Sequence, residues 1–186
     1  MKSIMKNRLA LSTVVTTLII LVVSVLLAGV VTYFAINVTS TRVQEENLSL
    51  SKQHIWVDQA DGAEGAVMIT NTGGRDVVID KLTCRGQEVP WAQVFYAVAA
   101  TGEDVSADLV YVTQPLAAAA DFGITDTAHA TTTDLVVPSG TTMIVYISAP
   151  DSVALNDIGL TVALTVFTSQ AMYYKETNVQ AYVTPP

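Results

Sequence analysis

From Leu9 to Ile36 the chain runs for 28 residues without a charged side chain. About 20 apolar residues, rising 1.5 Å each, cross the hydrocarbon core of a bilayer. The stretch LALSTVVTTLIILVVSVLLAGVVTYFAI is therefore long enough to span, with residues to spare. Lys2, Lys6 and Arg8 precede it. From Arg42 onward 6 Lys or Arg stand against 17 Asp or Glu, a balance of -11. Basic flanks stay on the cytoplasmic side, so this asymmetry predicts an N-terminus inside and an acidic domain outside.

Such a domain repels phosphate, which argues against nucleic acid as a partner. The lone Cys84 excludes an intrachain disulfide and any cysteine cluster for metal, and its context, DKLTCRGQ, reads as a structural thiol at a strand end. The apolar run is roughly twice as long as the core of a secretory signal peptide, and no Ala-x-Ala site follows it. Removal behind the helix is thus the weaker reading.

The segment is unusual for a plain anchor. Ser12, Thr13, Thr16, Thr17, Ser24 and Thr32 punctuate it, and Ala28-Gly29 sits among Leu26, Leu27, Val30 and Val31. Hydroxyls can return hydrogen bonds to their own helix, and small residues let neighbouring helices approach closely. Arg42, Gln44, Glu45 and Glu46 are helix-compatible, so a stalk fading near Lys52 is expected, although the β-branched run NVTST weakens it.

These residues resemble the class III signal region of the archaeal type IV pilin-like superfamily, which includes archaellins. The likeness rests on the basic start, Leu11-Ser12-Thr13-Val14-Val15, and the Val/Leu/Ile helix with Ala28-Gly29 near its end. It implies that a membrane prepilin-type peptidase cuts before the helix, at the site formed by Arg8, Leu9, Ala10 and Leu11, between Ala10 and Leu11. The usual basic pair before a glycine is replaced here by Arg8-Leu9-Ala10, which leaves a cut nearer Arg8 as the alternative. The glutamate that bacterial pilins carry five residues into the mature helix is missing, as is common among the archaeal members. By resemblance, the helix sits in membrane lipid before packing with copies of itself or related pilins. The expected helix-assembly residues are Leu18, Ile19, Leu21, Val22, Val25, Leu26, Gly29 and Val30. Asn37-Val38-Thr39 and Asn47-Leu48-Ser49 are N-glycosylation sequons, with Asn47 the better placed.

Beyond the helix the period shifts to strands. IWV and AVMITN flank DQADGAEG, and EGAVMITNTGGRDVVIDKLTC reads as a hairpin turning at Asn71-Thr72-Gly73-Gly74, where glycine would supply positive φ. VPWAQVFYAVAA is a strand or a short helix, and ADLVYVTQ at 107–114 a strand candidate. LAAAADFGITDTAHATTT reads as a surface excursion with a helical turn over 116–120. DLVVPSGTTMIVYISAP gives two strands, with Met143, Val145 and Ile147 alternating against Ile144, Tyr146 and Ser148. IGLTVALTVFTSQ and AMYYKETNVQAYVTPP supply the last one or two.

The expected fold class is α+β: a long apolar helix, then an all-β, sandwich-like extracellular head. Its segments are a cleaved basic leader at 1–10, helix and stalk at 11–52, and the head at 53–186. No phosphate loop, HExxH or hydrolase elbow occurs, so no enzyme and no cofactor is expected. His54 and His129 have unlike surroundings. Asp58, Asp61 and Glu64, and the group Glu103, Asp104 and Asp108, only superficially resemble calcium loops. Two functions fit: a structural subunit of an extracellular pilus-like filament serving adhesion or motility, or a single-pass membrane-anchored surface protein whose β-domain binds a ligand or partner.

Overall fold

The computed structural model describes residues 2–43, 45–59, 62–100, 102, 103, 105–112, 126 and 129–182, and in the helix the side chains of 11–41. The chain divides into two units, Met1–Val43 and Gln44–Pro186. The first is the helix α1 (Lys2–Val43). The anticipated stalk is shorter than expected: the helix ends at Val43, and residues 48–52 already belong to a strand. Burial decides this, because Leu48 and Leu50 are core residues and alternate with exposed Ser49.

The second unit is a large curled β-sheet. Its strands are β1 (Leu48–Asp58), β2 (Gly62–Asn71), β3 (Val77–Cys84), β4 (Gln87–Glu88), β5 (Val94–Val98), β6 (His129–Ala130), β7 (Leu135–Val137), β8 (Thr142–Ser148), β9 (Thr161–Thr168) and β10 (Met172–Ala181). They pair in the order β4-β3-β9-β10-β1-β2-β8-β5-β6, with β7 also on β3. All pairings are antiparallel except that of β1 with β10, at Ile55, Trp56 and Val57 against Val179, Gln180 and Ala181.

One core unites strands from distant parts of this order. Ile79 and Leu82 of β3 share it with Val162 and Leu164 of β9, Val67 and Ile69 of β2, Met143, Val145 and Ile147 of β8, and Val94 of β5. A flat sheet could not bring β3 and β5 together, so the sheet curls around its own apolar face. Ile144 and Tyr146, of opposite parity on β8, join Trp56, Ala66 and Ala97 in a second cluster on the outer side. Both faces of β8 are covered, as its alternation predicts. Cys84 is fully buried, and that burial pushes its thiol up.

The expected hairpin over residues 64–84 does not form. β2 pairs with β1 and β8, whereas β3 pairs with β4, β7 and β9. Residues 72–76 instead arch between the two halves of the curled sheet. Gly73 is not needed for positive φ: a Cβ there would lie 2.6 Å from the Glu45 carbonyl oxygen and 2.8 Å from the Asn47 nitrogen. The true two-residue turn is Arg85-Gly86, with φ 52° and 79°, closing β3 onto β4. Residues 91–93 form a 3-10 turn before β5, so the stretch around Trp91 holds both predicted alternatives in succession. Residues 107–112 are not a strand, and the helical turn expected at 116–120 lies outside the described residues.

Candidate functional site

The helix-assembly residues lie on a helix that is apolar all round. Leu18, Ile19, Ile20, Leu21, Val22 and Val23 are all exposed, and at 100° per residue six consecutive positions complete the circumference. Leu18, Leu26 and Val30 are each at least 60% exposed. The eight named positions occupy about half of the circumference, with Gly29 close to its middle. A Cβ on Gly29 would meet nothing within 4 Å.

Four hydroxyls within the apolar run are satisfied by the helix's own backbone. Thr16 donates to the Ser12 carbonyl at 2.8 Å, Thr17 to Val14 at 2.9 Å, Ser24 to Ile20 at 2.7 Å, and Thr32 to Ala28 at 2.8 Å. Each hydroxyl thus offers no unmet donor to lipid. Among the described residues, Leu11–Thr41 is the one helix long and apolar enough to cross a membrane. Of the cleavage-site residues, Leu11 is exposed on this helix; Arg8, Leu9 and Ala10 continue its backbone, and their side chains lie outside the described residues.

The two sequons differ in setting. Asn37 is inside the helix, and its carbonyl accepts the Thr41 hydroxyl at 2.9 Å. Asn47 stands exposed in the extended entry to β1, its carbonyl accepting from Thr72 and Gly73 N–H at 2.9 and 3.1 Å. That entry is anchored further by Glu46, whose carboxylate accepts from Thr168 and whose carbonyl accepts from Tyr173 at 3.4 Å.

Among the described residues, the acidic clusters do not form loops of ligands. Asp58 and Glu64 lie on β1 and β2, and Asp61 is outside the described residues. Glu64 accepts the Val112 N–H at 3.0 Å; burial pushes its carboxyl up to about 8, against the lowering effect of that N–H. Glu103 accepts the Ala100 N–H at 2.8 Å, and Asp104 is outside the described residues. Among the described residues, no three potential metal ligands come together.

His54 and His129 are four strand steps apart in the pairing order. Each binds a different aspartate: His54 to Asp108 at 3.1 Å, and His129 to Asp126 at 3.0 Å. The His54 hydrogen bond holds the Asp108 carboxyl below its ordinary value. Sequence reasoning missed what Asp108 belongs to, an irregular strap over 105–112 that crosses the outer side of the sheet. Its apolar residues at 105, 109 and 111 were the available signal, but the apolar run at 109–112 reads as a strand in isolation.

No protein-family profile matches the chain, and no curated protein matches it. Solved structures give distant likenesses. The ligand-binding region of Serine-glutamate repeat protein A of Enterococcus faecium is 17% identical, over 75% of this chain and 100% of that one, with a TM-score of 0.33. A β-glucosidase from Listeria innocua is 11% identical over 75% of this chain, with a TM-score of 0.29. The match spans only 16% of the glucosidase. At these scores neither neighbour assigns a ligand or an activity to this chain.

Proposed function

We propose that the chain is a structural subunit of an extracellular pilus-like filament, assembled by packing of its N-terminal helices beneath acidic, sandwich-like heads. One observation carries the reading: on a 42-residue helix whose apolar side chains over 11–41 are exposed around the full circumference, Gly29 sits in the middle of one face, where a neighbouring helix could approach closely. A surface of that kind is covered by lipid or by other helices. Exchanging lipid contact for close helix contact favours assembly through packing, since the apolar surface is already out of water.

On this reading the membrane peptidase removes residues 1–10, the helix waits in lipid with its N-terminus cytoplasmic, and copies of the chain or related pilins then gather at the cell surface. The acidic head suits an exterior without nucleic acid. The runner-up, a monomeric anchored surface protein, is served equally well by the apolar circumference but requires neither processing nor a polymer. N-terminal sequencing of the mature protein, with electron microscopy of purified surface appendages, separates them. A mature chain starting at Leu11 within filaments supports the subunit; Met1 retained with no high-mass assembly overturns it.

A further inference from the structure

The strap at 105–112 is fastened from below by four side chains. Lys52 donates its ammonium protons to the carbonyls of Val105, Ser106 and Ala107, the second at 2.9 Å. His54 meets Asp108, the Tyr146 hydroxyl donates to the Val110 carbonyl at 3.0 Å, and Glu64 receives the Val112 N–H. The lysine is aimed by a bulge: the β1–β2 register shifts between Ser51 and His54, and Lys52 has φ 50°. Beneath the strap Val105 and Leu109 are buried on Trp56, Ala66, Ile144 and Tyr146.

We propose that residues 105–112 are an acid-tightened latch, whose release is coupled to loss of a proton from Glu64 and bares the apolar face of Trp56, Ala66, Ile144 and Tyr146. Glu64 is flanked across the sheet by Trp56 and Ser148, neither able to carry charge. Among the described residues, the titratable and charged groups on the surrounding elements are Lys52, His54 and Asp58 on β1, Asp108 and Tyr111 on the strap, Tyr146 on β8, and Tyr182 after β10, stacked on Tyr111 at 4.0 Å. None of these holds a charge on Glu64, where burial dominates and the Val112 N–H opposes it. Lifting the strap admits water to the carboxyl and returns it towards an ordinary acidity. Opening therefore grows with pH from the ordinary carboxylate range up to about 8, then levels off. The Asp108–His54 bond keeps its carboxylate charged into acid, so this fastener holds while Glu64 is protonated.

The test is hydrogen exchange read by mass spectrometry on the full chain in detergent micelles, corrected for the intrinsic effect of pH. Peptides within 105–112 should exchange at least about tenfold faster than those of β9, as local opening requires. Their protection should fall roughly tenfold per pH unit between about pH 5 and 8, and the slope should vanish in Glu64→Gln. A slope surviving in that variant overturns the latch. So does a strap no faster than β9, or a flat profile in the unaltered chain, and these two readouts need no variant.

Discussion

The Asn71 side-chain amide donates to the Val137 carbonyl at 2.9 Å, joining the end of β2 to the end of β7. The same nitrogen donates to the Arg75 carbonyl at 2.8 Å, and Oδ1 accepts the Gly73 N–H at 3.0 Å. Asn71 is fully buried, so one side chain below the surface satisfies backbone groups of an arch whose residues 72 and 74–76 are exposed. Asn71→Ala should cost about 1–3 kcal/mol, because the buried Val137 carbonyl loses its partner without gaining a solvent one. Urea denaturation of the full chain in detergent measures this, and a loss below about 1 kcal/mol would show that the arch does not depend on the amide.

Gly73 supports a second stability prediction. Its missing Cβ makes room for the backbone of Glu45 and Asn47, neither of which is the end of a flexible side chain. Gly73→Ala should therefore lower stability by about 1–3 kcal/mol, the usual range for overpacking, and loosen the entry to β1. Proteolysis between residues 43 and 48 should accelerate in parallel. Unchanged midpoint and cleavage rate would mean that the entry segment moves aside freely.

Asn71 and Gly73 also show where sequence reasoning reached its limit. The turn residues around 71–74 were legible, but their partners were not. An Asn-x-Gly-Gly signal says that the chain reverses; it does not say whether the strands on either side pair with each other. Here their partners include β8 and β9, whose sequences begin 71 and 90 residues after Asn71. The helix was legible because a single local property, uncharged length, decides it, and β8 because its alternation records two covered faces. The strap was not, since Lys52 and His54 of β1, Glu64 of β2 and Tyr146 of β8 come together from three strands to hold it.

Stability should depend on pH through Glu64. In the folded head the carboxyl is pushed up to about 8, against an ordinary value of 4.5. The folded state thus holds the proton more tightly than the unfolded state. Its contribution is fully present below the unfolded value, declines as pH rises from there to about 8, and then stays constant. Glu64→Gln cannot ionise and keeps an oxygen for the Val112 N–H, so it should gain on the order of 3 kcal/mol at pH 7 and little at pH 4. Denaturation midpoints of both proteins across pH 4–9 test the sign. A gain that is larger in acid than at neutrality contradicts it.

Gly29 separates the two functions. In the isolated helix a side chain there meets nothing, so Gly29→Leu should leave membrane insertion and head stability unchanged. Where helices approach across that face, the added isobutyl group holds their backbones apart. Filament yield should then fall roughly tenfold, equivalent to about 1.4 kcal/mol at the contact. Val31→Leu enlarges a residue on the opposite side of the same helix and should do much less. Quantitative immunoblots of sheared appendages against membrane-retained protein give the ratio for each variant. If Gly29→Leu sheds as much filament as the unaltered chain, Gly29 marks no packing face, and the helix is better described as an anchor.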